Sequence, residues 1–131
     1  MVYQLPALCW AAAIVVASSM PQVPTPDMGP LTWDKTLHFG VFGILGFLAL
    51  RAKPRPRGWA TLASIGWAGL DEIHQAFVPG RDASPYDFLA DVMGIGVAYL
   101  IFLGLMRRGM SPVWTGVVPE RKQDDRSEDG G

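Results

Sequence analysis

Apolar residues fall in four long runs, separated by shorter stretches rich in Pro, Gly and charge. The runs extend from about Val2 to Met20, Thr36 to Leu50, Trp59 to Val78 and Phe88 to Met106. A helix that crosses a bilayer needs about 20 mostly apolar residues, with a range of about 17–25. Each run comes close, the second only when its polar first turn is counted. Gly, Ala and Ser dilute all four, and several carry charges near one end, so no single run is decisive. Four in succession predict an all-α polytopic membrane protein, a bundle of four transmembrane helices over residues 1–108. Residues 109–131 then form a charged cytoplasmic tail. Its last stretch, ERKQDDRSEDGG, has nothing apolar to pack and is expected to be disordered. No internal repeat is evident.

Composition sharpens this reading. Of 131 residues, 50 % are hydrophobic and 18 % charged, and the mean hydropathy is positive. The formal net charge of -1 argues against a nucleic-acid binder, which would show a basic face. Cys9 is the sole cysteine, so there is no internal disulfide and no cysteine metal motif. The first run could pass for a secretory signal. It lacks a basic leading region, however, and Ala17-Ser18-Ser19-Met20 fits the small-residue cleavage rule poorly.

The distribution of charge suggests an orientation. No Lys or Arg precedes Lys35, whereas Arg51, Lys53, Arg55 and Arg57 crowd the connection between runs two and three, and Arg107 and Arg108 follow run four. The positive-inside rule puts both basic regions in the cytoplasm. The connections at 21–33 and 79–87 then face outward, and both termini are cytoplasmic. Trp33, Trp59 and Tyr86 fall at the expected membrane edges, as in an aromatic belt.

The chemistry is concentrated at the outer ends of runs two, three and four. Residues 71–91 read DEIHQAFVPGRDASPYDFLAD, between two apolar runs, and Asp34, Lys35 and His38 open another. Asp34 and His38, Asp71 and Gln75, and Asp87 and Asp91 are each four apart, so each pair shares a helix face. Ionisable groups this near hydrocarbon are costly unless paired, and they mark a functional site by default. Asp34, Lys35, His38, Glu72, Gln75, Arg81, Asp87 and Asp91 are therefore expected to form one ligand-binding network.

Some of these residues have plainer roles. Thr32 could cap the second helix, with Asp34 favoured in its first turn. Ser84-Pro85-Tyr86-Asp87 has the form of a capping box, with Ser84 as N-cap and Asp87 at N3. Arg81 could clasp the Pro79-Gly80 turn by pairing with Asp82 or Glu72, or could bind an anion. His38 could be a satisfied core histidine, and His74 lies on another face and points toward headgroups. Glu72 resists such readings. Counted from a helix end near Val78, it lies roughly 9 Å deep and needs a partner, with Lys35, His38 and Arg81 available. Gly66, Gly69, Gly94 and Gly96 read as sites of close helix contact.

The order of these residues resembles the VanZ-like family of membrane proteins. Asp34-Lys35-Thr36-Leu37-His38-Phe39 resembles its DKxxHF motif. Asp71-Glu72-Ile73-His74-Gln75, followed by Phe77-Val78-Pro79-Gly80-Arg81, Ser84, Asp87 and Gly94, resembles its DExxQ…PGR…S…D…G signature. The match covers about residues 30–106. Asp91 departs from it, since many members carry Asn there, and adds a charge. The founding member is associated with low-level teicoplanin resistance, so the resemblance implies a membrane location and an envelope role.

Three functions are compatible with this pattern. The first is a protein that binds an anionic cell-envelope ligand, such as a lipid-linked phosphate or cell-wall precursor, through Lys35, Arg81 and a helix N-terminus. Membrane lipids would be its other partners. The second is an intramembrane hydrolase or transferase acting on a lipid-linked substrate, with His38, Glu72 and Asp91 as candidate catalytic residues. In that case His and carboxylates could also take a divalent cation, although no recognised motif predicts a metal site or a cofactor. The third is a polar cluster that only locks the bundle.

Overall fold

The computed structural model describes residues 4–21, 33–52, 57–81 and 83–110. Among these residues the chain is all-helical. Four helices follow in order: α1 (Leu5–Ser18), α2 (Trp33–Arg51), α3 (Arg57–Gln75) and α4 (Pro85–Arg107). The 109–131 tail is described only to Met110, and Thr32 and Asp82 also lie outside the described residues.

At 1.5 Å per residue the helices are about 21, 28, 28 and 34 Å long. Only α4 is clearly long and apolar enough to cross a membrane, and 28 % of that stretch is buried against the rest of the protein. A soluble core helix of that composition would be mostly covered. α2 and α3 have nearly the length, but Asp34 and Lys35 in one and Asp71 and Glu72 in the other lower their apolarity.

Local chemistry sets the helix ends. Ser84 caps α4, its hydroxyl accepting the Tyr86 N–H, with Pro85 next. At the other end of α4, Gly109 takes φ +73°. There the Gly109 and Met110 amides donate to the Met106 and Leu105 carbonyls, a Schellman closure. Gly80, with φ +79°, makes the turn after α3. α3 ends at Gln75 rather than near Val78, so Glu72 is about 4–5 Å from the helix end, half the depth inferred from sequence.

The helices alternate in direction, and the tightest seam joins α2 to α4. A Cβ at Gly94 would collide with the Phe39 carbonyl, and one at Gly43 would come within 3.3 Å of the Gly94 oxygen. Gly46 similarly meets Ile95 at 3.3 Å. Of the glycines singled out in sequence, Gly94 makes this close approach and Gly69 meets Phe88 at ordinary contact distance. Gly66 and Gly96 face open space and make no helix contact. The seam's partners on α2, Gly43 and Gly46, were not foreseen.

The interior is layered. Leu50, Ala60 and Phe102 pack toward the end bearing Arg51, Arg57 and Arg107. Ile14, Phe42, Leu45, Ala68 and Ile95 form the middle layer. At the opposite end the buried residues are Ser18, His38, Asp71, Glu72, Gln75, Asp87 and Asp91. On α3 the inward stripe Ala60, Ser64, Ala68, Asp71, Gln75 is small or polar. Large apolar side chains point outward instead, including Leu62, Leu70 and Ile73 on α3 and Leu89, Met93 and Leu100 on α4. Apolar side chains thus cover the outside of the bundle as well as its middle.

Candidate functional site

The C-terminal ends of α1 and α3 and the N-terminal ends of α2 and α4 meet at one end of the bundle. The polar side chains there form two neighbouring groups.

One group ties α1 to α3. Asp71 Oδ2 accepts from Ser18 Oγ at 2.9 Å and from Gln75 Nε2 at 2.7 Å. Just outside it, Ser19 Oγ lies 2.9 Å from His74 Nε2. Arg81 donates to the carbonyl of Ala17 in the last turn of α1 (3.3 Å) and to that of Met20 just beyond it (3.4 Å). Among the described residues Arg81 therefore caps α1 rather than pairing with Glu72. Gln75 likewise serves Asp71, not Glu72. Ser18 and Asp71 were missing from the expected network. The four-residue spacing of Asp71 and Gln75 was visible, but nothing in the sequence links either to a serine 53 residues away.

The other group joins α2, α3 and α4. His38 Nδ1 lies 3.0 Å from Asp91 Oδ1 and 3.9 Å from Glu72 Oε1. The His38 ring stacks above Phe42, at the top of the apolar layer. Lys35 Nζ lies 3.2 Å from Asp87 Oδ1, within ion-pair range but off a hydrogen-bond direction, so that oxygen still lacks a hydrogen-bond partner. The partner of Lys35 is thus Asp87 and not Glu72. Glu72 Oε2 instead accepts the Ser84 N–H at 3.0 Å. In a capping box the N3 side chain takes that amide. Here a carboxylate from α3 does so, which leaves the N3 residue Asp87 to face Lys35. The box inferred from sequence is therefore closed between two helices.

The satisfaction is incomplete. Asp91 is 0 % exposed, Asp87 4 % and Glu72 9 %. Yet among the described residues Asp91 Oδ2, Glu72 Oε1 and Asp87 Oδ1 have no hydrogen-bond partner, and neither does Asp71 Oδ1. Buried polar atoms are rarely left this way, because each forfeits its hydration without replacement.

A cleft of about 160 Å³ opens beside the two groups. His38, Asp34, Asp71, Gln75 and Arg81 line its polar side, and Ile14, Leu37 and Phe42 its apolar side. Lys35 does not line this cleft, so the two cations expected to converge on one anion are separated. His38 touches both the cleft and Asp91, which places a donor–acceptor pair at the cleft wall.

A sequence model of the VanZ/LLP1 family matches residues 3–107. The chain belongs to the VanZ/LLP1 family. The match takes in all four helices, and both motif regions of this VanZ/LLP1 chain supply the side chains of the polar end: Lys35 and His38 from one, Asp71, Glu72, Gln75, Arg81, Ser84 and Asp87 from the other. No curated protein and no solved structure matches the chain.

Proposed function

We propose that this VanZ/LLP1 chain is a multi-pass cell-membrane protein of four spanning helices that holds the headgroup of an anionic envelope lipid at its outer, acidic end. The apolar exterior supports the membrane reading. Trp33, Trp59, Phe77 and Tyr86 are 67–83 % exposed, and apolar side chains cover the outside of every helix. The contrast between ends supports the orientation: Arg51, Arg57, Arg107 and Arg108 lie at one end, and the carboxylates at the other. Both termini are then cytoplasmic. Placing Cys at position 55 or 82 in a Cys9→Ser background tests this. Labelling of position 55 from outside intact cells, or protection of position 82, contradicts it.

The ligand reading rests on one observation: the cleft bounded by His38, Asp34 and Arg81 on one side and apolar side chains on the other. A site half polar and half apolar at a helix-bundle rim suits a lipid headgroup and the first carbons of its chain. A lipid-linked phosphate or cell-wall precursor is the candidate class, and a change in glycopeptide susceptibility is the phenotype it would carry. Lipids extracted from the purified protein are the test. Wild type is expected to carry a phosphate-bearing envelope lipid above its membrane abundance, and Arg81→Ala to lose it. Identical lipid profiles for the two proteins would refute this reading.

A hydrolase or transferase reading is favoured by one specific feature, the His38–Asp91 contact of 3.0 Å at the cleft wall. A histidine held by a buried carboxylate is the arrangement of a general base. His38→Gln then abolishes turnover of the lipid-linked substrate while leaving the lipid bound.

A further inference from the structure

We propose that His38, Glu72 and Asp91 form a divalent-cation site, with Asp87 beside it. One ligand atom from each of His38, Glu72 and Asp91 falls within 4.8 Å of the others, and the same holds for Asp34, His38 and Asp87. Two donors each about 2.1 Å from a shared ion stand roughly 3.0 Å apart at a right angle and about 4.2 Å apart when opposite. The His38 Nδ1 separations of 3.0 Å to Asp91 and 3.9 Å to Glu72 both fall in that window. The ion takes the place of the proton between His38 and Asp91.

A second observation points to a ligand independently of these spacings. Asp91 is wholly buried and its Oδ2 has no hydrogen-bond partner among the described residues, nor has the buried Glu72 Oε1 beside it, while Asp87 Oδ1 meets only the Lys35 ammonium at 3.2 Å. Charge leads to the same place. Three buried carboxylates face one lysine, and a divalent ion with neutral His38 as a ligand brings the group to neutrality. The donors come from three different helices, and the Gly94 seam fixes α2 against α4, so the set is assembled by the fold before any ion arrives.

The donor set selects the ion class. Calcium and magnesium favour all-oxygen cages, whereas one imidazole among carboxylates suits manganese or zinc. Because His38 also lines the cleft, a bound ion gives this acidic pocket an anchor for a phosphate oxygen. That last link rests on the lipid reading above; the metal site does not.

The test uses the detergent-solubilised full chain, stripped with chelator and titrated with Mn²⁺ alone, with free Mn²⁺ followed by electron paramagnetic resonance. Wild type is expected to bind one Mn²⁺ per chain. His38→Gln and Asp91→Asn should each weaken binding about ten-fold or more, and Asp71→Asn, in the neighbouring group, should leave it unchanged. Circular dichroism on the same samples checks folding. Should either site variant fail to fold, Glu72→Gln replaces it, with the same ten-fold loss expected. No saturable Mn²⁺ binding by wild type, or equal binding by the site variants, overturns the proposal. Saturable Mn²⁺ binding without any co-purified phosphate lipid keeps the metal site and removes the lipid.

Discussion

Gly94→Ala is expected to damage the protein more than any other single-methyl change in the bundle. The added Cβ would run into the Phe39 carbonyl oxygen, lie 3.0 Å from the carbonyl carbon and 3.1 Å from the Gly43 nitrogen. All three are backbone atoms of α2 and cannot rotate away. The two helices must separate by roughly an ångström, and overpacking of this kind costs about 1–3 kcal/mol, here at the upper end. A loss of about 3 kcal/mol lowers the folding equilibrium constant by roughly two orders of magnitude. Gly94 is less than a turn beyond Asp91, and Phe39 is next to His38, so the same separation lengthens the 3.0 Å His38–Asp91 contact past hydrogen-bond range. Gly96→Ala is the control. A Cβ there meets nothing within 4 Å, and Ala is the better helix former by about 0.5–1 kcal/mol. Denaturant titration of the purified protein in detergent, with helicity as the signal, measures both variants. If Gly94→Ala unfolds at the wild-type midpoint, the α2–α4 seam is not as close as described, and the preorganisation of the polar site falls with it.

Two further substitutions probe the polar end itself. Glu72→Gln keeps an acceptor for the Ser84 amide and is expected to accumulate in membranes like wild type. Glu72→Leu strands that amide and is expected to cost about 1–3 kcal/mol, read as a lower denaturant midpoint; equal midpoints for the two variants would contradict the Ser84 contact. Lys35→Met leaves the buried Asp87 without its cation, with a cost below the roughly 3–5 kcal/mol of a fully buried pair, since Lys35 is 26 % exposed. Adding Asp87→Leu should recover folded protein and adding Glu72→Leu should not; the reverse result would mean that Lys35 serves Glu72.

The four helices and the residues at their polar end were legible because apolar and polar residues are segregated along the sequence. Apolar runs of near-spanning length, a basic connection without acids, and ionisable residues repeating every four positions can each be read without a partner helix. What could not be read is who pairs with whom. The sequence offered Lys35, His38 and Arg81 for Glu72, and of these His38 comes within 3.9 Å of it. The fold gives Glu72 the Ser84 amide, Lys35 to Asp87 and Arg81 to the end of α1. Each choice depends on the rotation of one helix against another; for Lys35 and Asp87 the Gly43–Gly94 and Gly46–Ile95 contacts set it. Ser18 carries no local signal at all; it matters only because α1 ends beside α3. The depth of Glu72 was overestimated because the apolar Phe77 and Val78 extend the hydrophobic run past the last helical residue, Gln75.

Whether the polar end is a site or a lock comes down to what its replacement would do. Asp71 has a lock's character, since one of its oxygens accepts from Ser18, which joins α1 to α3, and from Gln75 on its own helix. The His38 group does so less: three of its buried carboxylate oxygens lack a hydrogen-bond partner among the described residues, against one in the Asp71 group, and its chief α2–α4 contact duplicates a seam that glycines already hold. Well-packed apolar residues in place of a buried ionic group are often neutral or stabilising by about 1–4 kcal/mol. Replacing Lys35, His38, Glu72, Asp87 and Asp91 together by Met, Leu, Leu, Val and Val should therefore give a bundle at least as resistant to denaturant as wild type, despite losing the Ser84 acceptor. The same protein should bind no Mn²⁺ and leave glycopeptide susceptibility at the level of cells lacking the chain. A lock predicts the opposite order, with the apolar variant unfolding before wild type. Such a result would assign the cluster to stability, because groups kept for ligand binding alone have no reason to make the empty bundle stronger.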